Sequence, residues 1–325
     1  MEKPKVLVRV DLTEDSLEQL KNVAVIEVRP SADGEELLRI IEGFEAIVCT
    51  GPERYYTEPF FQAASKLRIL ARVSAGVDMV DVDAATRNGV MVTNAPGANA
   101  TSVAEMGILL ILALSRKLIE CDRTVRSGQN FRRPELRQSL RGFEIQDKKL
   151  GIVGFGAVGR QVARRALGLG LVVSAYDPYL DDELVRTEGA LPRTLYELLR
   201  ESDYLMLCCP LTDDTRGMIN QRRIEMMKTG AYLINIARGG LVVQEDLADA
   251  LETNKLAGAA LDVTTPEPPP TDDPLFKCKG VIFSAHQGGN TEEAWERICQ
   301  MAVKNVVQAL NGERPQNLVN PEVLS

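Results

Sequence analysis

The chain has 325 residues, which at roughly 150 residues per domain suggests two domains. Each is large enough to bury a core without disulfide or metal staples. A content of 45% apolar and 26% charged residues excludes a disordered chain, and a formal charge of −8 argues against a nucleic acid as partner.

Six cysteines (Cys49, Cys121, Cys208, Cys209, Cys278 and Cys299) form no CxxC pair. They read as reduced cysteines of a cytoplasmic protein, with no disulfide framework and no metal site. Cys208 and Cys209 are adjacent in an apolar run, so their side chains are expected on opposite faces of a strand. Met1-Glu2-Lys3-Pro4-Lys5 leads directly into a strand-like segment and lacks signal-peptide shape. The longest candidate membrane run, Met106 to Leu114, falls far short of the ~20 apolar residues a span requires.

Short Val- and Ile-rich runs come first at Val6–Val10, Val23–Val28, Ala46–Thr50, Ile69–Val73 and Val90–Thr93. Most are separated by stretches long enough for a crossover helix, a pattern that predicts a parallel sheet with helices on both faces. A long helix is predicted to open at Ser102, where Ser102 and Glu105 have capping-box spacing. A second series follows at Leu150–Phe155, Leu171–Tyr176, Tyr204–Cys209, Tyr232–Ile236, Gly258–Val263 and Val281–Ala285, six strands in all. Six is the count of a dinucleotide-binding sheet. A second long helix is predicted from about Thr291 to Leu310, stopped by Asn311-Gly312. The tail 317–325 is expected to rejoin the first unit. Pro266-Glu267-Pro268-Pro269-Pro270 reads as a stiff loop.

The fold class is therefore α/β, with two Rossmann-like or flavodoxin-like parallel-sheet domains and a cleft between them. Residues 1–101, completed by 293–325, are assigned to a substrate domain, and 102–292 to an NAD-binding domain.

The cofactor assignment starts from GxGxxG at Gly154, Gly156 and Gly159, placed between a strand and a helix-compatible segment. The first glycine permits the tight turn, the second lets backbone approach a pyrophosphate, and the third lets the helix pack on the strand. Alone the motif is weak. Asp177 ends the following strand 18 residues after Gly159, close to the spacing of about 20 expected for an acid on the adenosine ribose. A carboxylate there repels a 2′-phosphate, so NAD is favoured over NADP.

The chain has one histidine, His286, just past the last predicted strand. Proton transfer to a carbonyl needs a donor that titrates near neutral pH, and histidine is the usual one. Arg238 follows the strand Tyr232–Ile236, and Glu267 lies in the loop after Gly258–Val263. Singly these are a capping arginine, a loop glutamate and a structural histidine. Together they occupy the C-terminal ends of three strands, where open α/β sheets bind ligands. Arg238 can fork a carboxylate and a ketone oxygen, and Glu267 beside His286 would favour the protonated ring.

At these residues the chain resembles the D-isomer-specific 2-hydroxyacid dehydrogenases, which include phosphoglycerate, glycerate and hydroxypyruvate enzymes. The resemblance rests on Gly154 through Gly159, Asn235-Ile236-Ala237-Arg238-Gly239, Asp262 through Pro268 and the His286 loop, and spans nearly the whole chain. It implies hydride transfer between NAD(H) and a small 2-oxo or 2-hydroxy acid. In it Arg238 binds and polarises the substrate, His286 is the acid/base, and Glu267 orients and charges His286. It further implies a nicotinamide contact from Asp262. Ala157 and Val158 would lie along the pyrophosphate, with Cys209, Pro210, Ile236, Ala237, Arg238, His286 and Gly288 lining the cofactor. Ser74, Ala75 and Gly76 would hold the substrate carboxylate through their amides, with Asn99 as a further substrate contact. Domain closure would exclude water, and the long segment Lys117 to Asp147 would form the interface of a homodimer.

Two departures matter. Phosphoglycerate enzymes often carry an arginine just after the strand that ends here at Cys49-Thr50; this chain has none there, although Arg54 is near, and Arg132-Arg133 reads first as a solvated basic stretch and second as a phosphate contact supplied across a dimer. No regulatory domain is expected after Ser325. The rival from another class is an NAD-sensing corepressor-like binding protein of the same fold. A formate-oxidising relative is disfavoured, because such enzymes usually carry Gln where Glu267 stands.

Overall fold

A computed structural model describes residues 3–51 and 55–325, and it divides into two compact units. Residues 1–99 with 290–325 form the first and 100–289 the second.

The first unit holds β1 (Lys5–Arg9), β2 (Val25–Val28), β3 (Ala46–Cys49), β4 (Ile69–Arg72) and β5 (Met91–Thr93). All pair in parallel in the order β2-β1-β3-β4-β5. Strand order reverses between β1 and β3, which makes their C-terminal ends the switch point of this sheet. Apart from their charged end residues β1 and β4 are wholly apolar, as is β3 throughout, because both faces are covered. Val6, Val8, Val48 and Ala71 pack on one side with the Glu292–Leu310 helix, and Leu7, Ile47, Leu70, Phe60 and Phe61 pack on the other.

The predicted C-terminal helix is present. Thr291 caps it by accepting from the Ala294 amide at 3.2 Å, and it ends at Asn311 followed by Gly312 in the left-handed region. The tail then returns to β5: the Val319 amide donates to the Val92 carbonyl at 2.8 Å. Buried Asn320 accepts from the Val92 amide at 2.8 Å and donates to the Val90 carbonyl at 2.9 Å.

The second unit contains β6 (Lys149–Val153), β7 (Val172–Tyr176), β8 (Leu191–Pro192), β9 (Tyr204–Leu207), β10 (Ala231–Asn235), β11 (Leu256–Leu261) and β12 (Val281–Phe283). This is a seven-stranded parallel sheet in the order β12-β11-β10-β9-β6-β7-β8, one strand more than expected. The extra strand is only two residues long and ends in a proline at the sheet edge, so it has no alternation to read. Order reverses between β6 and β9, beside the glycine-rich turn.

The capping box expected at Ser102 is not formed. The helix begins earlier, at Ala100, and Ser102 is a buried residue within its first turn. Glu105 pairs with Arg165 at 3.0 Å instead. Cys208 and Cys209 lie just past the end of β9, not within it as expected, but still fall in the apolar cores on opposite faces of the sheet.

Candidate active site

At the exit of β6 the chain turns through Gly154 with φ +90°. A Cβ there would lie 2.6 Å from the Cys209 backbone nitrogen, so the turn needs glycine for both its conformation and its contact with the exit of β9. A Cβ on Gly159 would lie 2.3 Å from the Gly154 carbonyl oxygen, which fixes how closely the Ala157–Gly168 helix approaches the turn. Gly156 is exposed at the helix N-cap with nothing within 4 Å of where its Cβ would be, and no side chain caps the helix. The first helical amides, those of exposed Ala157 and half-buried Val158 among them, are thus presented outward.

Asp177 follows β7. One carboxylate oxygen accepts from the Phe155 amide at 2.8 Å and the other from the Tyr179 amide at 3.0 Å. The acid is therefore locked beside the glycine turn with lone pairs to spare. A close glycine turn, an uncapped helix start and a fixed carboxylate together fit the pyrophosphate and ribose of a dinucleotide. Cys209 is buried near this turn and its Sγ lies 3.8 Å from Met218 Sδ. Burial pushes its thiol up to about 11, so at neutral pH it is an uncharged apolar side chain packed on Met218. Pro210 is exposed next to it, Ile236 is buried and Ala237 half-buried.

The exits of β10, β11 and β12 are adjacent and tied together. The Asp262 amide donates to the Asn235 carbonyl at 2.9 Å, and the Ser284 amide to the Leu261 carbonyl at 3.1 Å. After β10, buried Asn235 shapes the turn that carries Arg238. Its side chain donates to the Arg238 carbonyl at 2.8 Å and accepts from the Ala237 amide at 3.1 Å. Gly239 then packs on the loop after β11, where a Cβ would sit 2.0 Å from the Thr264 carbonyl oxygen. Arg238 is half-buried and one of its guanidinium nitrogens donates to the Ala237 carbonyl at 2.7 Å.

His286 Nδ1 lies 3.1 Å from each carboxylate oxygen of Glu267. Glu267 stands between two cis bonds, Thr265–Pro266 and Glu267–Pro268. Ala285 (φ 52°) and His286 (φ 56°) are both left-handed, a conformation costing an L-residue on the order of 1 kcal/mol. Asp262, only 3% exposed, holds them there. Its backbone carbonyl accepts from the His286 amide at 2.6 Å, and its carboxylate accepts from Ser284 Oγ at 2.7 Å, the Gln287 amide at 2.8 Å and the Gly288 amide at 2.9 Å.

In the first unit, the loop after β4 carries Ser74, Ala75 and Gly76, all half-buried. Its carbonyls are occupied: Ser74 Oγ donates to Gly76, Asn94 Nδ2 to Ala75 at 2.6 Å and the Ala95 amide to Ser74 at 2.9 Å. Asn99 is half-buried and immediately precedes the Ala100–Ser115 helix. Arg54 lies outside the described residues. Arg132 and Arg133 are exposed.

Three positioning residues went unnoticed in the sequence. Asn235 and Ser284 lay inside motifs but were assigned no task. Gln244 lies in the next helix, Gln244–Glu252; its Oε1 accepts from the Thr265 amide at 2.7 Å and its Nε2 donates to buried Asp273 at 3.0 Å. Among the described residues no group of His, Cys, Asp and Glu is arranged to hold a metal ion.

Residues 108–288 match the family model of the D-isomer specific 2-hydroxyacid dehydrogenase NAD binding domain. Over 99% of its length the chain is 40% identical to a glyoxylate reductase of Thermococcus kodakarensis, covering 98% of that protein. It is 36% identical to a D-3-phosphoglycerate dehydrogenase of Methanocaldococcus jannaschii, but spans 59% of that protein's length. A crystal structure of a Thermus thermophilus protein superposes with a TM-score of 0.88 at 34% identity, covering 97% of this chain and 99% of that one. With more than half its length matched by the family model and near-complete coverage of the glyoxylate reductase relative, the chain belongs to the D-isomer-specific 2-hydroxyacid dehydrogenases, which are NAD-dependent enzymes.

Proposed function

We propose that the protein moves a hydride between NAD(H) and a small 2-oxo or D-2-hydroxy acid, with His286 as acid/base, Glu267 as its partner and Arg238 as the substrate-binding cation. The observation that carries this reading is the pair at 3.1 Å between His286 Nδ1 and both Glu267 oxygens. A carboxylate only accepts, so Nδ1 is the donor there and Nε2 is left to exchange a proton with the substrate oxygen. Bound NADH supplies the hydride. Protonated His286 gives its Nε2 proton to the carbonyl oxygen in reduction, and the neutral ring takes it back in oxidation. Arg238 forks the carboxylate and the carbonyl oxygen.

In the first unit, the Ser74–Gly76 amides are carboxylate donors, and Asn99 is a further substrate contact. Asp177 holds the adenosine ribose and Ala157 and Val158 the pyrophosphate, with Cys209, Pro210, Ile236, Ala237 and Gly288 along the cofactor. Asp262 acts chiefly by fixing the His286 loop, and a nicotinamide contact would use what acceptor capacity its three donors leave.

Glyoxylate and hydroxypyruvate are the first substrates to try, because the glyoxylate reductase relatives are covered almost end to end. The exposed apolar side chains of Leu118, Val125, Phe131 and Phe143 favour a homodimer through this segment, which light scattering reads directly. Among the described residues no helix is long and apolar enough to cross a membrane, and a cytoplasmic location is part of the proposal.

The test is NADH oxidation with glyoxylate, hydroxypyruvate, pyruvate, longer 2-oxo acids and phosphohydroxypyruvate. Turnover on at least one acid supports the reading and ranks the substrates. No turnover on any of them, with NADH still bound tightly, rejects it in favour of a cofactor-sensing role.

A further inference from the structure

We infer that the C-terminal edge of the first sheet is a binding site for a small oxyanion, held between Arg9 and Arg72. Arg9 ends β1 and Arg72 ends β4, and both are in register with Cys49, the last residue of β3 that lies between them. In-register residues of parallel strands share a face, so both guanidinium groups emerge on the side occupied by Leu7, Ile47 and Leu70. Both arginines are more than nine-tenths buried, at 7% and 4% exposure.

Their present contacts are neutral. Arg9 donates to the Tyr56 hydroxyl at 2.7 Å and to the Ala32 carbonyl, and lies over the Tyr55 ring. Arg72 donates to the Gly51 carbonyl at 3.1 Å. Burial, with Cys49 adding to it, raises the Tyr56 phenol far above its ordinary range, so Tyr56 is no counter-charge. Arg9 Nε, Arg72 Nε and Arg72 Nη1 are buried and have no hydrogen-bond partner. Among the described residues of this unit no buried acid is present, and no carboxylate pairs with either arginine.

A guanidinium cannot escape burial by losing its proton. An uncompensated buried cation is costly, and its unfilled N–H groups are fork donors that match the oxygens of a carboxylate, phosphate or sulfate. The place is apt as well, since the sheet reverses order between β1 and β3 and ligands of open α/β sheets bind beyond the strand ends at such a reversal.

The oxyanion has two sources, a free inorganic anion or a second anionic group on the substrate; the latter rests on the function proposed above. The probe is inorganic phosphate, added to the protein saturated with NADH so that the pyrophosphate cradle is filled. Equilibrium dialysis counts bound phosphate, and thermal melts compare phosphate with sodium chloride at equal ionic strength. The expected result is one phosphate per chain and a saturable rise in Tm. The affinity should weaken by about tenfold or more in Arg72→Gln and less in Arg72→Lys.

No bound phosphate in the wild-type protein overturns the inference whether or not the variants fold. So does equal binding by a folded Arg72→Gln protein. Competition by phosphate against phosphohydroxypyruvate but not glyoxylate assigns the site to the substrate, whereas binding without competition assigns it to a free anion. If no 2-oxo acid turns over, the functional reading fails while the dialysis count still decides this one.

Discussion

At the end of the second unit's sheet, the charged groups of the proposed site are braced. Glu267 closes on His286 at 3.1 Å, Asp262 takes four hydrogen bonds from the His286 loop, and Asn235 fixes the turn that carries Arg238. At the end of the first unit's sheet, two arginines are buried where His286 and Glu267 are exposed, yet they face only neutral oxygens, and three of their nitrogens have no hydrogen-bond partner. Both edges are the carboxyl ends of parallel strands, so topology alone does not separate them. The difference lies in who supplies the opposite charge. One edge carries its own carboxylates, which suits the proton transfer proposed for it; the other has donors left over, which suits the anion recognition inferred for it.

The sharpest way to break the braced edge is Glu267→Gln, which keeps the shape but removes the charge beside Nδ1. The expected loss in kcat for reduction is on the order of a hundredfold, with KM for NADH unchanged. Steady-state rates at several pH values check it, and an unchanged reduction rate would leave Glu267 without a task.

Loosening the brace at one remove is gentler. Gln244→Ala removes the bonds to Thr265 and Asp273, and about 1 kcal/mol of lost positioning should lower kcat by about tenfold or less. A matching drop in NADH affinity would instead mean general damage to the unit.

The smallest effect should come from the opposite end of the same sheet. Asp203 precedes β9, accepts from the Lys149 amide at 2.8 Å and pairs with Lys228 at 2.9 Å. Burial pushes its carboxyl upward, but the Lys149 hydrogen bond and Lys228 outweigh that, and the net shift is downward. A carboxyl held low in the folded state stabilises above its ordinary titration range, near pH 4, and that contribution fades as pH falls through the folded value. Asp203→Asn should cost about 1 kcal/mol at neutral pH, less under acid, and leave kcat alone. Denaturant melts at pH 7 and pH 3 give the comparison.

What was legible in the sequence was what local chemistry dictates. Eleven strands announced themselves as short apolar runs, most of them rich in Val and Ile, and the dinucleotide turn through glycines that backbone contact requires. His286 stood out as the one histidine, placed by the strand before it. β8 was missed because two residues carry no periodicity. The start of the Ala100–Ser115 helix was misplaced because a Ser-x-x-Glu spacing looks the same whether it caps a helix or sits inside one. Gln244 and the Arg9–Arg72 row were invisible for another reason. Gln244 acts on a loop 21 residues away, and strand order alone puts Arg9 and Arg72 in one row on either side of Cys49.

The most direct test of the central claim is His286→Ala, assayed for reduction of the best 2-oxo acid while NADH binding is followed by fluorescence. The account predicts unchanged NADH affinity and a loss in kcat of about a thousandfold, within the range for removing a general acid. Retention of kcat within about tenfold, with NADH bound as before, would contradict it and take the proton-transfer role away from His286.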